Sequence, residues 1–141
     1  MIYLIWTILF LGVCTFTDLK GKSIYGIWCG INGIAGFLAN LVTESHSFLN
    51  IGAGVAIGLV FIAVALITKQ KLGVGDGIVM LTMGFIIGGD VSFSVIIWAF
   101  ISCTVFSITG LITGKIKLNS SLPFMPFMLT GSIITLIIQE V

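Results

Sequence analysis

Residues Phe48–Thr68 read F-L-N-I-G-A-G-V-A-I-G-L-V-F-I-A-V-A-L-I-T, an apolar run without a charged side chain. About 20 apolar residues are enough to cross the hydrocarbon core of a bilayer as an α-helix. The rest of the chain has the same character, since 58% of its 141 residues are hydrophobic and only 8% are charged. A soluble domain carries about 25% charged residues. The sequence therefore predicts a single membrane-embedded domain over residues 1–141.

Apolar segments follow one another along the whole chain, which predicts an all-α bundle of six transmembrane helices. The first segment lacks the basic flank of a secretory signal, so we expect it to be a helix of the mature protein. The fourth is the shortest, and we expect it to extend back through residues 72–76. The six segments are Ile2–Thr17, Ile24–Val42, Phe48–Thr68, Gly77–Gly89, Val91–Thr113 and Leu122–Ile138.

The positions of the lysines predict the orientation of the bundle. Lysine and arginine are enriched in cytoplasmic loops. All six basic residues lie in the connections after the first, third and fifth segments, at Lys20, Lys22, Lys69, Lys71, Lys115 and Lys117. These connections are therefore predicted to be cytoplasmic, with both termini outside. The net charge of +1 suggests no nucleic-acid partner, and the lipid bilayer is the expected surrounding.

Two aspartates lie at the predicted cytoplasmic ends of their segments. Asp18 follows the first segment in T-F-T-D-L-K-G-K, and Asp76 precedes the fourth in G-V-G-D-G. Two carboxylates that lie close together do not both ionise easily and share a proton. The ionised member can activate water while the protonated member donates to a peptide carbonyl, as in an aspartic protease. Each aspartate also has a structural interpretation, since carboxylates at helix ends reach water or suit a helix N-terminus.

Three motifs resemble those of the type IV prepilin peptidases, which include the archaeal preflagellin peptidases and belong to the GxGD intramembrane aspartyl proteases. Gly73–Asp76 is similar to the GxGD motif, and D-L-K-G-K-S-I at Asp18–Ile24 resembles the first aspartate motif. L-P-F-M-P-F-M-L-T-G at Leu122–Gly131 resembles the C-terminal Pro-Phe-x-Pro-Phe run. The order and spacing cover nearly the whole chain. Tyr25 stands where the family usually has proline, and Ile78 stands where lysine is common.

The resemblance implies a membrane aspartic endopeptidase. It would cut the short basic leader from a prepilin-like or preflagellin-like protein at the cytoplasmic face of the cell membrane. Asp18 and Asp76 would be the catalytic pair, with no metal and no cofactor. Larger members of the family carry a methyltransferase portion with paired C-x-x-C motifs, which this sequence lacks. We therefore expect cleavage without N-methylation.

Four further residues are candidates for contact with the substrate. Gly73 and Gly75 would let a peptide backbone approach Asp76 closely. Pro123 and Pro126 would offer a strand-like docking surface, although an ordinary helix start is the favoured explanation of these prolines.

Two other functions stay open at this point. The chain could be a small transporter or channel subunit in which the two aspartates bind a cation or relay protons. It could also be an inactive homologue that aids pilus assembly, for which the changes at Tyr25 and Ile78 are the only support.

Small-xxx-small glycine spacings such as Gly54/Gly58 suit either close internal packing or a homo-oligomer. Cys14, Cys29 and Cys103 lie in apolar runs and are expected to be buried.

Overall fold

A computed structural model describes residues 2–19, 26–43, 46–68, 73–114 and 123–140. Within these residues α-helix is the only regular secondary structure, which confirms the predicted all-α class. Helices α2, α3 and α4 are long and apolar enough to cross a membrane, and α1 and α5 are shorter apolar helices. The helices are α1 (Ile2–Leu19), α2 (Gly26–Thr43), α3 (Phe48–Ile67), α4 (Val74–Ile112) and α5 (Met125–Glu140).

The structure has five helices in its described part where the sequence predicted six segments, because the fourth and fifth segments join in α4. The junction is still marked, since Gly88 interrupts the helix with a φ of 72° and a ψ of 179°. Glycine reaches a positive φ without the steric cost that a Cβ adds. Helix α4 begins at Val74, so the fourth segment extends back to residue 74, whereas Gly73 is not helical and residue 72 lies outside the described residues.

The lysine connections that predict the orientation lie outside the described residues, and so does Tyr25. The predicted cytoplasmic side of the bundle therefore stays a prediction.

The bundle is apolar on its surface and partly polar inside. Leu49 is 86% exposed and Ile27 is 80% exposed, whereas Thr7 and Ser132 are fully buried. Such a large apolar surface would be unfavourable in water. Polar side chains between helices are typical of proteins whose solvent is lipid. The chain is a membrane protein.

Helix α3 runs antiparallel to the first half of α4, residues 74–87. Gly54 faces Gly84 near one end of the contact, and Gly77 faces Ile62 near the other. A Cβ added to Gly54 would lie 2.7 Å from Gly84 Cα. The two helices thus touch backbone to backbone.

The second half of α4, residues 89–112, returns along the same helix α3. The ring of Phe61 stacks on that of Phe100, with 6.1 Å between the centroids. Phe61 is the neighbour of Ile62, which contacts Gly77 in the first half of α4. Residues before and after Gly88 therefore lie at the same level beside α3, and the chain reverses direction at the break.

Two asparagines from other helices hydrogen-bond to the backbone at this break. The Oδ1 atom of Asn50 accepts hydrogen bonds from the N–H groups of Gly89 at 2.8 Å and Asp90 at 3.0 Å. The Nδ2 atom of Asn40 donates to the carbonyl oxygens of residues 85–86 at 2.9 and 3.0 Å. Backbone groups at helix ends have no partner within their own helix. The asparagines supply those partners.

Candidate active site

Asp18 lies in the last turn of α1, one residue before the helix ends. Helix α1 runs antiparallel to α2, so its end lies near the beginning of α2. Three pairs of side chains connect the two helices along their length: Tyr3–Thr43, Trp6–Asn32 and Cys14–Cys29.

Asp76 lies in the first turn of α4, and the glycine before the helix makes room for its carboxylate. Gly73 is extended, with a φ of −64° and a ψ of 124°. Its carbonyl oxygen accepts a hydrogen bond of 3.0 Å from the N–H of Asp76. A Cβ added to Gly73 would lie only 3.2 Å from Asp76 Oδ2. The carboxylate therefore folds back over this glycine.

The structure brings the two aspartates together. Their carboxylates interact electrostatically across the contact between α1 and α4. Both side chains are half-buried. We call this end of the bundle, where α1 ends and α4 begins around Asp18 and Asp76, the aspartate end.

The other predicted substrate-contact residues lie on the elements that begin at the aspartate end. Gly75 is half-buried in the first turn of α4. Pro123 is exposed just before α5, and Pro126 lies in the first turn of that helix, where a missing N–H costs no hydrogen bond. Phe124 packs on Phe100 with 5.3 Å between the ring centroids. Phe100 also stacks on Phe61 of α3, the neighbour of the residue that contacts Gly77. The start of α5 therefore lies at the same depth in the bundle as Gly77.

One residue that departs from the family pattern is part of the packed interior. Ile78, which stands where lysine is common, is half-buried and packs against the hydrophobic core. An apolar side chain therefore follows the second carboxylate by two residues in α4.

Beneath the aspartates, two buried cysteines meet between α1 and α2. Cys14 is 1% exposed and Cys29 is 0% exposed, and their side chains lie next to each other. Cys14 precedes Asp18 by one helical turn. The prediction of burial is confirmed for these two cysteines, whereas Cys103 is only half-buried.

The sequence did not indicate that Cys14 and Cys29 are in contact. Their segments are both apolar, and nothing in either one marks the face that it presents to the other. The only available signal was the four-residue spacing of Cys14 and Asp18, which places them on one face of α1.

An apolar groove of about 490 Å³ opens between α2 and α4 and was not predicted. We call it the α2–α4 groove. The lining residues that matter for its chemistry are Gly26, Cys29, Gly30, Ile34, Ile78 and Thr82.

The paired carboxylates have two chemical uses. If they share a proton, they can supply an acid and a base to one reaction. If both are ionised, they can attract a cation. Within the described ranges, no three His, Cys, Asp or Glu residues form a group that could hold a metal ion.

Comparison with protein-family models, with curated proteins and with solved structures finds no match for this chain. The resemblance to the prepilin peptidases therefore depends on the three motifs alone.

Proposed function

We propose that the protein is a membrane aspartic endopeptidase that removes the short basic leader from type IV prepilin-like or preflagellin-like proteins. The observation that carries this proposal is that Asp18 and Asp76 lie near enough, where α1 meets α4, for their carboxylates to interact electrostatically. The two carboxylates come from helices far apart in sequence, yet they meet at one end of the bundle. They also occupy the two positions at which the motifs resemble those of the family.

The proposed reaction uses the two carboxyl groups as a unit. The ionised carboxylate removes a proton from a water molecule, and that water attacks the carbonyl carbon of the scissile peptide bond. The protonated carboxyl donates to the carbonyl oxygen as the tetrahedral species forms. As that species collapses, the C–N bond breaks, the carboxyl that took the proton from water gives it to the leaving amine, and the hydroxyl formed from the carbonyl oxygen returns its proton to the other carboxylate. Gly73, which carries no side chain beside Asp76, gives the substrate backbone access to the pair.

In the proposed membrane arrangement, each half of α4 crosses the bilayer, which makes six spans with both termini outside. The reversal at Gly88 supports this count. The aspartate end would then face the cytoplasm, in agreement with the lysine-rich connections that adjoin α1 and α4 in the sequence.

The positions of the described carboxylates favour a peptidase over an ion path. Asp18 and Asp76 lie at one end, and Asp90 lies beyond the break at Gly88, at the other. Among the described residues, the buried polar side chains between the two ends are hydroxyls and amides such as Thr82, Asn32 and Ser132, and none of them is a carboxylate. A proton relay would need ionisable side chains at intermediate depths of the membrane.

The test is cleavage of a prepilin-like substrate by the purified protein in lipid nanodiscs. We expect Asp18→Asn and Asp76→Asn each to lower the rate at least about 100-fold, the usual minimum for loss of a general acid or base. Asp90→Asn is the matched control, because it removes the same charge at the opposite end, and its rate should equal that of the wild type. Wild-type rates in either Asp18→Asn or Asp76→Asn would contradict the proposed mechanism.

The same assay should show a bell-shaped dependence of the rate on pH. At low pH both carboxyl groups are protonated and no base is present, whereas at high pH both are ionised and no acid is present. Asp90→Asn should leave the curve unchanged. A rate that rises with pH to a plateau would show that no protonated carboxyl is needed.

A further inference from the structure

A partly polar pocket of about 350 Å³ lies at the end of the bundle opposite the aspartate end, where α2 ends and α3 begins. We call it the α2–α3 pocket. In the proposed membrane arrangement α2 and α3 each cross the bilayer, so the pocket lies at a membrane surface. The described residues that line it are Asn40, Leu41, His46, Ser47, Phe48 and Ile51.

Asn40 places a fixed, unpartnered acceptor at the pocket. The side chain is 2% exposed. Its Nδ2 atom donates to the carbonyl oxygens of Gly36, Phe85 and Ile86 at 3.1, 2.9 and 3.0 Å. These carbonyls determine which way the amide points, since an oxygen in the place of Nδ2 would face three acceptors. The Oδ1 atom is buried without a hydrogen-bond partner among the described residues, which is costly for a buried acceptor.

Two further polar side chains line the pocket and can accept hydrogen bonds. The ring of His46 packs edge-on against that of Tyr3 in α1, with 5.8 Å between the centroids, which limits how the imidazole can turn. Burial lowers the pKa of His46, so the ring is neutral at pH 7 and one of its nitrogens is an acceptor. Ser47 precedes α3, and its hydroxyl makes no capping bond to that helix. Its oxygen is therefore available to a ligand.

The helix ends around the pocket differ in charge. Asn40 lies in the last turn of α2 and bonds to the last carbonyls of the first half of α4, and a helix carries partial negative charge at its carbonyl end. Helix α3 begins at Phe48 on the other side of the pocket. The first N–H groups of a helix have no partner within it and carry partial positive charge. The pocket therefore suits a zwitterion whose cation lies toward Asn40 and whose anion lies toward α3.

We infer that the α2–α3 pocket binds the headgroup of an ethanolamine phospholipid. Its primary ammonium has three N–H donors, one each for Asn40 Oδ1, the His46 ring and the Ser47 oxygen. Its phosphate meets the first turn of α3, since helix N-termini bind anions. Leu41 and Phe48 are exposed, so apolar side chains continue from the pocket to the acyl chains of the lipid. A choline headgroup carries the same charges but no N–H donor, so the pocket selects ethanolamine over choline.

The first test compares lipids on the wild-type protein. Delipidated protein in detergent is titrated with dioleoyl phosphatidylethanolamine, with its N-methyl and N,N-dimethyl derivatives, and with dioleoyl phosphatidylcholine, and bound lipid is counted by native mass spectrometry. We expect one site whose affinity falls with each N–H lost. Phosphatidylcholine should bind at least about tenfold more weakly than phosphatidylethanolamine, equivalent to about 1.4 kcal/mol. Equal affinities would overturn the proposal, and so would equally tight binding of phosphatidylglycerol, which has no ammonium group.

The second test removes two acceptors and keeps the packing. His46→Phe retains a ring for the contact with Tyr3, and Ser47→Ala removes a hydroxyl that caps nothing. Ser94→Ala is the matched control, because Ser94 lies just beyond the break in α4 at the same end of the bundle and its hydroxyl donates to the carbonyl of Asp90. We expect the double variant to lose most of the preference for phosphatidylethanolamine and Ser94→Ala to keep it. A double variant with the full wild-type preference would overturn the assignment to this pocket.

A competition experiment separates a lipid from a free amine. Soluble ethanolamine and glycerophosphoethanolamine, at the concentration of the lipid, should not displace phosphatidylethanolamine, because they lack the acyl chains. Displacement by ethanolamine would overturn the lipid as the source of the ammonium group. Unchanged thermal midpoints without added lipid would show that the variants are folded, and the lipid series on the wild type is decisive even if they are not. None of these measurements depends on cleavage of a substrate, so the inference stands or falls separately from the proposed function.

Discussion

At the scale of single residues, the candidate site depends on Gly73, which has no side chain, as much as on the two carboxylates. Gly73 and Asp76 share one turn of backbone, and the carboxylate occupies the space beside the glycine. The sequence indicated that glycine was useful there for approach of a peptide. The structure adds that Gly73 also determines where the carboxylate can lie.

Replacing Gly73 with alanine tests this role. The added Cβ would lie 3.2 Å from Asp76 Oδ2, which is closer than an ordinary van der Waals contact, so the carboxylate must move by a few tenths of an ångström. We expect the cleavage rate to fall about 10- to 100-fold, because small displacements of a catalytic group are costly. The thermal midpoint should remain close to that of the wild type, since Gly73 is exposed.

Gly52→Ala is the control for this substitution, because it adds a Cβ to open space far from the aspartates. A Gly73→Ala variant as active as Gly52→Ala would show that the position of the carboxylate tolerates the added methyl group.

At the scale of elements, α4 shows how a helix can be interrupted inside a membrane protein. Unpaired backbone groups are expensive in lipid, so an irregular segment must find partners within the protein. At Gly88 those partners are Asn40 from α2 and Asn50 from α3. Neither asparagine was identified from the sequence as belonging to this break, because each lies on a different helix, far from Gly88 in the chain.

Replacing Asn50 with alanine should destabilise the bundle by about 1–3 kcal/mol, the usual cost of leaving backbone donors without an acceptor. The free energy of unfolding can be measured by titration with a denaturing detergent. Thr109→Ala is the control, because the hydroxyl of Thr109 is exposed and bonds only to carbonyls of its own helix. An Asn50→Ala variant as stable as Thr109→Ala would indicate that water or lipid headgroups satisfy the N–H groups of residues 89–90.

At the scale of the whole molecule, α4 is the central element of the bundle. Its first half packs on α2 and α3, and its second half packs on α5 and again on α3. Helix α1 joins through contacts with α5 and α4. This arrangement brings the beginning of α4 to the end of α1, and thereby brings Asp76 to Asp18.

The contact between α3 and α4 can be tested with two glycines of one helix. Gly54→Ala forces a Cβ to within 2.7 Å of Gly84 Cα, so the helices must separate, and we expect a loss of about 1–3 kcal/mol in the free energy of unfolding. Gly52→Ala, on the open face of α3, should be neutral or stabilise the fold by up to about 1 kcal/mol, as alanine favours helix. Equal stability of the two variants would show that α3 and α4 are not in backbone contact.

The sequence by itself determined the membrane character, the helical class and the positions of the two candidate carboxylates. These follow from local properties, because an apolar segment in lipid must satisfy its backbone hydrogen bonds within itself and therefore becomes a helix. The extent of each helix is likewise set by its own composition, which explains why the predicted segments agree closely with α1, α2 and α3.

Only the tertiary structure decided which helix faces meet. It joined two predicted segments into α4 with a break at Gly88, paired Cys14 with Cys29, and left the α2–α4 groove open beside the aspartate end. Each of these features depends on the shapes of side chains from segments that are distant in sequence. In lipid no difference in hydrophobicity marks the inner face of a helix, so steric fit and a few polar contacts choose the neighbours.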